Sequence, residues 1–512
     1  MLSRTSALLS GFGAYSLVQV LVLASNMLLV PYTIARVGLA DYGRWTVALQ
    51  VVTYIGLAQC GVAMVLPREL NKLVARGELA QAREMVNTVL HMMVYSTVMV
   101  GLLSVGAYFL LPVAVRGPMG VLLFGYTACY TLTTFAAVLI GAQDLAFYSL
   151  TAGAGAILGV AIGAALLSAG WGLYGLAWGW VVGHTLLMVT CGVRAALRHP
   201  HLCPTGLGQI RTPAALALLR AGGWLTLNAL AGLLVAGPDV FLVTAYWGPV
   251  AVAAYGCTSR LAQAAGGQAA AGAAMAVPGL AAAVTTADAT RRRRLLVDMA
   301  LCQLAVTGLV VVVVLAVNQR FVRLWVGGGA YAGDVVTGAV VAVLLARHLN
   351  TVLLAMAYAL DRERAVTLVS LLDGAATALA TAALVAAVGP AGGHLGGFAV
   401  AALVTVPLNA HLLGRVIGPL AELWRAVGRW AVRFAPVAAA AYAVGRATAD
   451  ADLGPAGSVA LLVGTAGLTA GVYAVVMYPL VRPTPVGQRL ARLFPAAGRP
   501  KPVAAPDRHT PK

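Results

Sequence analysis

Apolar blocks of about 20 residues, each enough to cross roughly 30 Å of hydrocarbon, recur from one end of the chain to the other. About fourteen are present, centred near residues 19, 55, 99, 129, 157, 183, 229, 265, 306, 346, 377, 405, 438 and 469. Such a series predicts an all-α polytopic membrane protein with about 14 transmembrane helices. Composition leaves little room for anything else: 61% of the 512 residues are hydrophobic and 10% charged, whereas a soluble domain is roughly a quarter charged. The first block, within residues 1–32, is too long for the core of a signal peptide and holds no small-residue cleavage site, so it reads as a retained helix. Loops are short throughout, and no separate soluble domain fits between the spans.

An even number of spans puts both termini on one side, and the basic residues say which. With the termini in the cytoplasm, the loops holding Arg68, Lys72, Arg76 and Arg83, then 194–220, 291–294, Arg362 with Arg364, and 415–433 all fall inside. Only Arg36, Arg44, Arg116, Arg320, Arg323 and Arg446 fall outside. Basic residues concentrate in cytoplasmic loops, so orientation accounts for the net charge of +18 and no nucleic-acid partner is implied. The four arginines at 291–294 read as an anchor against anionic headgroups, at about 1 kcal/mol per charge near the surface. The stretch 482–512, rich in Pro, Arg and Ala, lacks apolar periodicity and is predicted to be a disordered basic cytoplasmic tail.

A faint internal repeat divides the series. GLADYGRW follows the first span, and the helix after it ends in MVLP at 64–67; GPVAVAAYG follows the seventh, and its helix ends in MAVP at 275–278. Tyr42 stands 25 residues before Pro67, and Tyr255 stands 23 before Pro278. Two pseudo-symmetric six-helix lobes, related by an axis along the membrane normal, produce such spacing. The predicted organisation is one lobe over 1–200, a second over 201–418, two extra helices over 419–481 and then the tail, with a central cavity between the lobes.

The six cysteines lie mostly within apolar blocks and lack CxxC spacing, which points to neither a disulfide framework nor a metal site. No G-x-x-x-x-G-K-[ST] or H-E-x-x-H occurs, and GAGAILG at 153–159 lies inside a span, where small residues let helices approach closely. No catalytic residue, metal or cofactor is therefore predicted. What remains is a short set of polar residues at membrane depth, where ionisable groups are rare and functional by default.

Arg260 heads that set, as the one charge in AAYGCTSRLAQAAGGQ at 253–268. Counted from the turn at Gly248 and Pro249, it lies near mid-bilayer at about 1.5 Å per residue. Asp239 lies at similar depth on the neighbouring antiparallel helix. Two readings stay open: an ion pair of Arg260 with Asp239, or a guanidinium facing a wet cavity, where its planar fork grips phosphate through two parallel bonds. Arg347 and Asn350 share a face of the tenth span with Thr351 beside them, a polar stripe that suits a cavity wall or bonding between helices. Arg44, nearer the surface, is a second cavity arginine or an interfacial anchor. Asn26 and Gln19 in the first helix, Gln59 in the second and Asn228 in the seventh line a cavity if the first helices of both lobes face it, and otherwise hold helices together. Asp373 is placed to titrate or to pair.

The stretch 37–88, beginning VGLADYGRWTVALQVVTYIGLAQCG, resembles the start of polysaccharide (O-antigen-type) lipid-linked oligosaccharide flippases. The shared pattern is a first helix, G-x-x-x-Y-G-x-W, a helix with glycine in its second half, and a cytoplasmic loop with Arg and Gly-Glu. PDVFLVTAYWGPVAVAAYGCTSRL and RFVRLWVGGGAY are similar to the family's segments after helices seven and nine. The resemblance runs nearly the whole chain and implies the multidrug/oligosaccharidyl-lipid/polysaccharide exporter superfamily: two six-helix bundles around a central cavity, working by alternating access in a bacterial cytoplasmic (inner) membrane. It implies a polyprenyl-pyrophosphate-linked oligosaccharide as substrate, surrounding membrane lipids, and a glycan polymerase or glycosyltransferase as the partner to seek. It also favours the cavity reading of Arg260. Lipid II flippases of this superfamily carry basic residues in the first helix, where this chain has Gln19 and Asn26, so the polysaccharide branch fits better.

The expected function is flipping of that lipid to the outer leaflet, because a sugar chain with two phosphates cannot cross hydrocarbon unaided. Kinks at Pro31, Pro238, Pro278 or Pro407 would let the lobes rock. A drug/cation antiporter of the same superfamily needs acids in its cavity, and only Asp239 and Asp373 stand against Arg260 and Arg347. A membrane glycan polymerase or glycosyltransferase needs a long outer loop or an acidic metal site, and the sequence has neither. A structural scaffold leaves the buried charges unexplained.

Overall fold

A computed structural model describes residues 4–59, 61–203, 212–285, 287–451 and 453–484, and among these there are helices and no strand. The tail from 485 onward lies outside the described residues. The first lobe comprises α1 (Arg4–Ile55), α2 (Val62–Ala75), α3 (Leu79–Leu110), α4 (Val113–Cys129), α5 (Thr133–Gly141), α6 (Leu145–Ser168) and α7 (Leu173–Arg198). The second comprises α8 (Thr212–Ala236), α9 (Pro238–Thr285), α10 (Ala289–Val326), α11 (Asp334–Ala359), α12 (Glu363–Val388), α13 (Gly392–Val400) and α14 (Val406–Ile417), and α15 (Ala421–Ala449) and α16 (Pro455–Val481) follow.

Among the described residues, eleven segments are long and apolar enough to cross a membrane. Two of them, Val20–Ala58 and Leu218–Ala270, have 39 and 53 residues, about twice what one crossing needs. Each is broken by a glycine: Gly38 at φ 81°, ψ 165° and Gly248 at φ 82°, ψ 175°. Lacking a Cβ, glycine enters this region without a clash. Each broken segment thus supplies two crossings. α15 misses the apolar criterion because of its arginines but is long enough at 29 residues, which makes fourteen.

The matched dihedrals show where the two halves of the chain correspond. The equivalent residues are Gly38 and Gly248, so Tyr42 and Tyr255 fall at different distances beyond the bend and are not counterparts. Pro31 sits inside α1 without non-helical dihedrals, whereas Pro238 opens α9 at a further break, directly after α8 ends at Ala236. Pro407 follows a π-helical turn, Ala401–Thr405, that separates α13 from α14.

Within the first lobe, α6 and α7 touch backbone to backbone. A Cβ at Gly179 would stand 2.4 Å from the Gly159 carbonyl oxygen, and one at Gly183 would stand 2.3 Å from that of Gly155. Glycines here replace side-chain packing by close helix approach. Gly179→Val is expected to force the pair apart and lower stability by about 1–3 kcal/mol, as overpacking does; a thermal melt in detergent matching the unmodified chain would refute this account.

α15 and α16 attach to the second lobe. Gly308 of α10 receives the Tyr473 ring, whose hydroxyl donates to the Ala305 carbonyl at 2.8 Å. Arg320, expected at the surface, is buried: it donates to the Thr448 and Ala451 carbonyls at 3.1 and 2.9 Å, closing the C-terminal end of α15. α15 also carries Arg425, Arg429 and Arg433, four residues apart and exposed.

The lobes meet along α1, α2, α8 and α9. Beside the two bends, a Cβ at Gly43 would lie 1.9 Å from the Pro249 carbonyl oxygen. Further along, Tyr54 donates to the Leu233 carbonyl at 2.9 Å, and on a second seam Trp325 Nε1 donates to the Met27 carbonyl at 2.7 Å.

Candidate functional site

Beyond its bend, α9 sends three faces to three neighbours. Tyr255 and Ser259, four apart and so on one face, turn to His394 of α13. Tyr255 Oη lies 3.0 Å from His394 Nδ1, and Ser259 Oγ lies 2.7 Å from Nε2. Tyr255 donates to Asp239 Oδ2 at 2.6 Å. Its oxygen therefore accepts from Nδ1–H, while the Ser259 hydroxyl donates to the Tyr255 carbonyl at 2.8 Å and sits beside Nε2. Gly393 leaves room for this chain, since a Cβ there would sit 2.6 Å from Tyr255 Oη. The second face carries Thr258, which accepts from the Ala332 amide at 2.8 Å.

The third face carries Cys257 and Arg260 and looks at the first lobe. Cys257 packs with Val30 and Tyr42 of α1, and the Arg260 guanidinium lies within electrostatic reach of the Tyr42 hydroxyl. Arg260 Nε is buried without a hydrogen-bond partner, and no ion pair among the described residues includes Arg260. The pairing with Asp239, one of the two readings of the sequence, is thus not formed. Asp239 meets the Tyr255 face, and Arg260, five residues further on, points about 140° around the helix from it.

The other polar residues separate in the same way. Arg347 bonds to Asp373, to Thr377 Oγ1 at 2.8 Å and to the Gly397 carbonyl at 3.3 Å, all within the second lobe. Asn350 accepts from Asn409 Nδ2 at 2.8 Å, and His348 Nδ1 lies 2.7 Å from Thr307 Oγ1. Of the two readings of the stripe, bonding between helices describes Arg347 and Asn350, while Thr351 donates back to the Arg347 carbonyl at 3.0 Å. Arg44 pairs with Asp41 one turn away, both more than a third exposed. Asn228 is half-buried on α8, and the side chains of Gln19 and Gln59 lie outside the described residues. Asn26 lines a cavity of about 310 Å³ in the first lobe, shared with Trp45, Trp180 and His184. His394 and His184 were not singled out from the sequence, although each is an ionisable residue inside an apolar block.

Two helical lobes facing one another across a seam make a fold also seen in solved structures. The chain is similar to the lipid II flippase MurJ in an inward closed conformation, with 13% identity and a TM-score of 0.65, covering 92% of this chain and 99% of that one. It is also similar to an inward-facing multidrug resistance MATE family transporter of the MOP superfamily, with 14% identity and a TM-score of 0.56 over 78% of this chain and 95% of that one. The bent form of the Vibrio cholerae MATE transporter VcmN aligns with 14% identity and a TM-score of 0.54 over 81% and 98%. At such identities the likeness is one of fold. No protein-family model and no curated protein sequence matches the chain.

Proposed function

We propose that this protein is a membrane transporter, not an enzyme, that moves an anionic lipid-linked oligosaccharide between leaflets through the cleft between its lobes. The observation that carries this is the state of the charges. Arg260 faces the opposite lobe with no acid on it, while the two acids expected at membrane depth are engaged, Asp239 by Tyr255 and Asp373 by Arg347. A free guanidinium attracts phosphate or pyrophosphate. The second reading is a drug/cation antiporter, favoured by the likeness to MATE transporters; it needs an acid free to meet a cation. In liposomes, the purified chain is expected to transfer a fluorescent polyprenyl-pyrophosphate oligosaccharide across the bilayer with its glycan unchanged. A new glycosidic bond would make it an enzyme, and uptake of a cationic dye without lipid movement would establish the antiporter.

The flippase reading implies a bacterial inner membrane, and the basic distribution supports an orientation with arginines 291–294 in the cytoplasm and the Gly38 and Gly248 bends outside. Cysteines introduced at Thr290 and Gly328 are expected to label from the inside and the outside respectively. Outside labelling at Thr290 overturns this orientation.

A further inference from the structure

We propose that the cavity in the first lobe is a slot for one neutral sugar ring, distinct from the seam that Arg260 faces. The proposal rests on the flippase reading in one respect: the ring would belong to the transported glycan. At about 310 Å³ the cavity lies at the small end of ligand sites, roughly 300–1,000 Å³, and has room for a ring or two. One wall is flat backbone, supplied by Gly155, Gly159 and Gly163 of α6. The other is aromatic: Trp180 and His184 stack at 4.6 Å and 16°, with Trp45 beside them on the cavity surface.

The lining contains no Asp, Glu, Lys or Arg, which removes the attraction for a cation or a phosphate. It does contain unmet hydrogen-bonding groups. His184 Nε2 is buried with no partner. Trp45 is 7% exposed and makes no hydrogen bond among the described residues. Asn26 spends one N–H on the Val22 carbonyl at 2.8 Å, which leaves its amide oxygen. A lipid tail in the cavity would leave these groups unpaired, and that is costly in a buried site. A pyranose meets both demands, because its C–H face lies on the negative face of an aromatic ring while its rim of hydroxyls reaches polar side chains.

Saturation-transfer NMR on the purified full chain, with glucose, galactose, rhamnose and N-acetylglucosamine as probes and tetraphenylphosphonium as the cationic comparison, tests this. At least one sugar is expected to bind saturably, and roughly tenfold more weakly in Trp180→Leu, which loses the stacking plane. Ala156→Leu, which fills the slot from α6 and keeps the aromatic wall, is expected to show the same loss; it decides the matter if Trp180→Leu fails to fold. Absence of saturable binding by every sugar overturns the proposal. So does tighter binding of tetraphenylphosphonium that Ala156→Leu removes. Sugar binding reads the slot without transport, and transport by an Arg260 variant reads the seam without sugar binding, so the two proposals fail separately.

Discussion

Arg260→Ala is expected to reduce transport of the lipid-linked oligosaccharide to background while the protein folds and accumulates at near-normal levels. The guanidinium has no acidic partner, so its removal strands no charge. What is lost is the grip on the headgroup: charge-assisted hydrogen bonds contribute about 1.5–3 kcal/mol each, so losing a bidentate pair lowers affinity a hundredfold or more. Arg260→Lys keeps the charge without the planar fork and is expected to recover only part of the rate. Adding Asp239→Ala to Arg260→Ala is expected to restore nothing, because Asp239 is held by Tyr255. Transport and thermal stability of the three variants decide the point. Full transport by Arg260→Ala, or its recovery in the double variant, would remove the phosphate-binding role.

Asp373→Ala is expected to have the opposite signature, a failure to fold. The Asp373 and Arg347 side chains are 7% and 17% exposed. Breaking a buried pair from one side typically costs about 3–5 kcal/mol, since the remaining charge is left in low dielectric. The expected readouts are loss of membrane-integrated protein or a large fall in melting temperature. Replacing both partners by leucine is expected to return most of the stability, because well-packed apolar groups often substitute for a buried pair without loss. If Asp373→Ala melts like the unmodified chain but fails in transport, Arg347 belongs to the transport path instead.

The contrast between these two arginines marks what the sequence discloses. Both sit inside apolar blocks at similar depth, and the chemistry of the residue type is the same. Helical periodicity assigns a residue to a face of its own helix but does not say which neighbour that face meets. Arg347, His348 and Asn350 come within one turn, yet they reach α12, α10 and α14 respectively. The crossings were legible because length and apolarity alone decide them. The repeat was legible in outline, but its register was read from Tyr-Gly pairs, whereas the backbone repeats at Gly38 and Gly248, where only φ and ψ reveal the match. The slot in the first lobe was hidden for a different reason: GAGAILG advertises close packing, and packing of α6 on α7 is what it does, while the empty side of the same glycines has no signature in the chain.

The attachment of α15 and α16 makes the two lobes mechanically unequal. Both helices are fastened to α10, and α15 reaches the start of α11 through the Arg446–Asp334 pair, at 2.9 Å. The second lobe therefore carries two more helices' worth of drag through the lipid, together with the exposed arginines of α15, each held by about 1 kcal/mol where it meets an anionic surface. If the lobes turn against each other, the second behaves as the stator and the first as the rotor. Deleting α15 and α16 would then shift the division of movement between the lobes, even with the seam between them left intact.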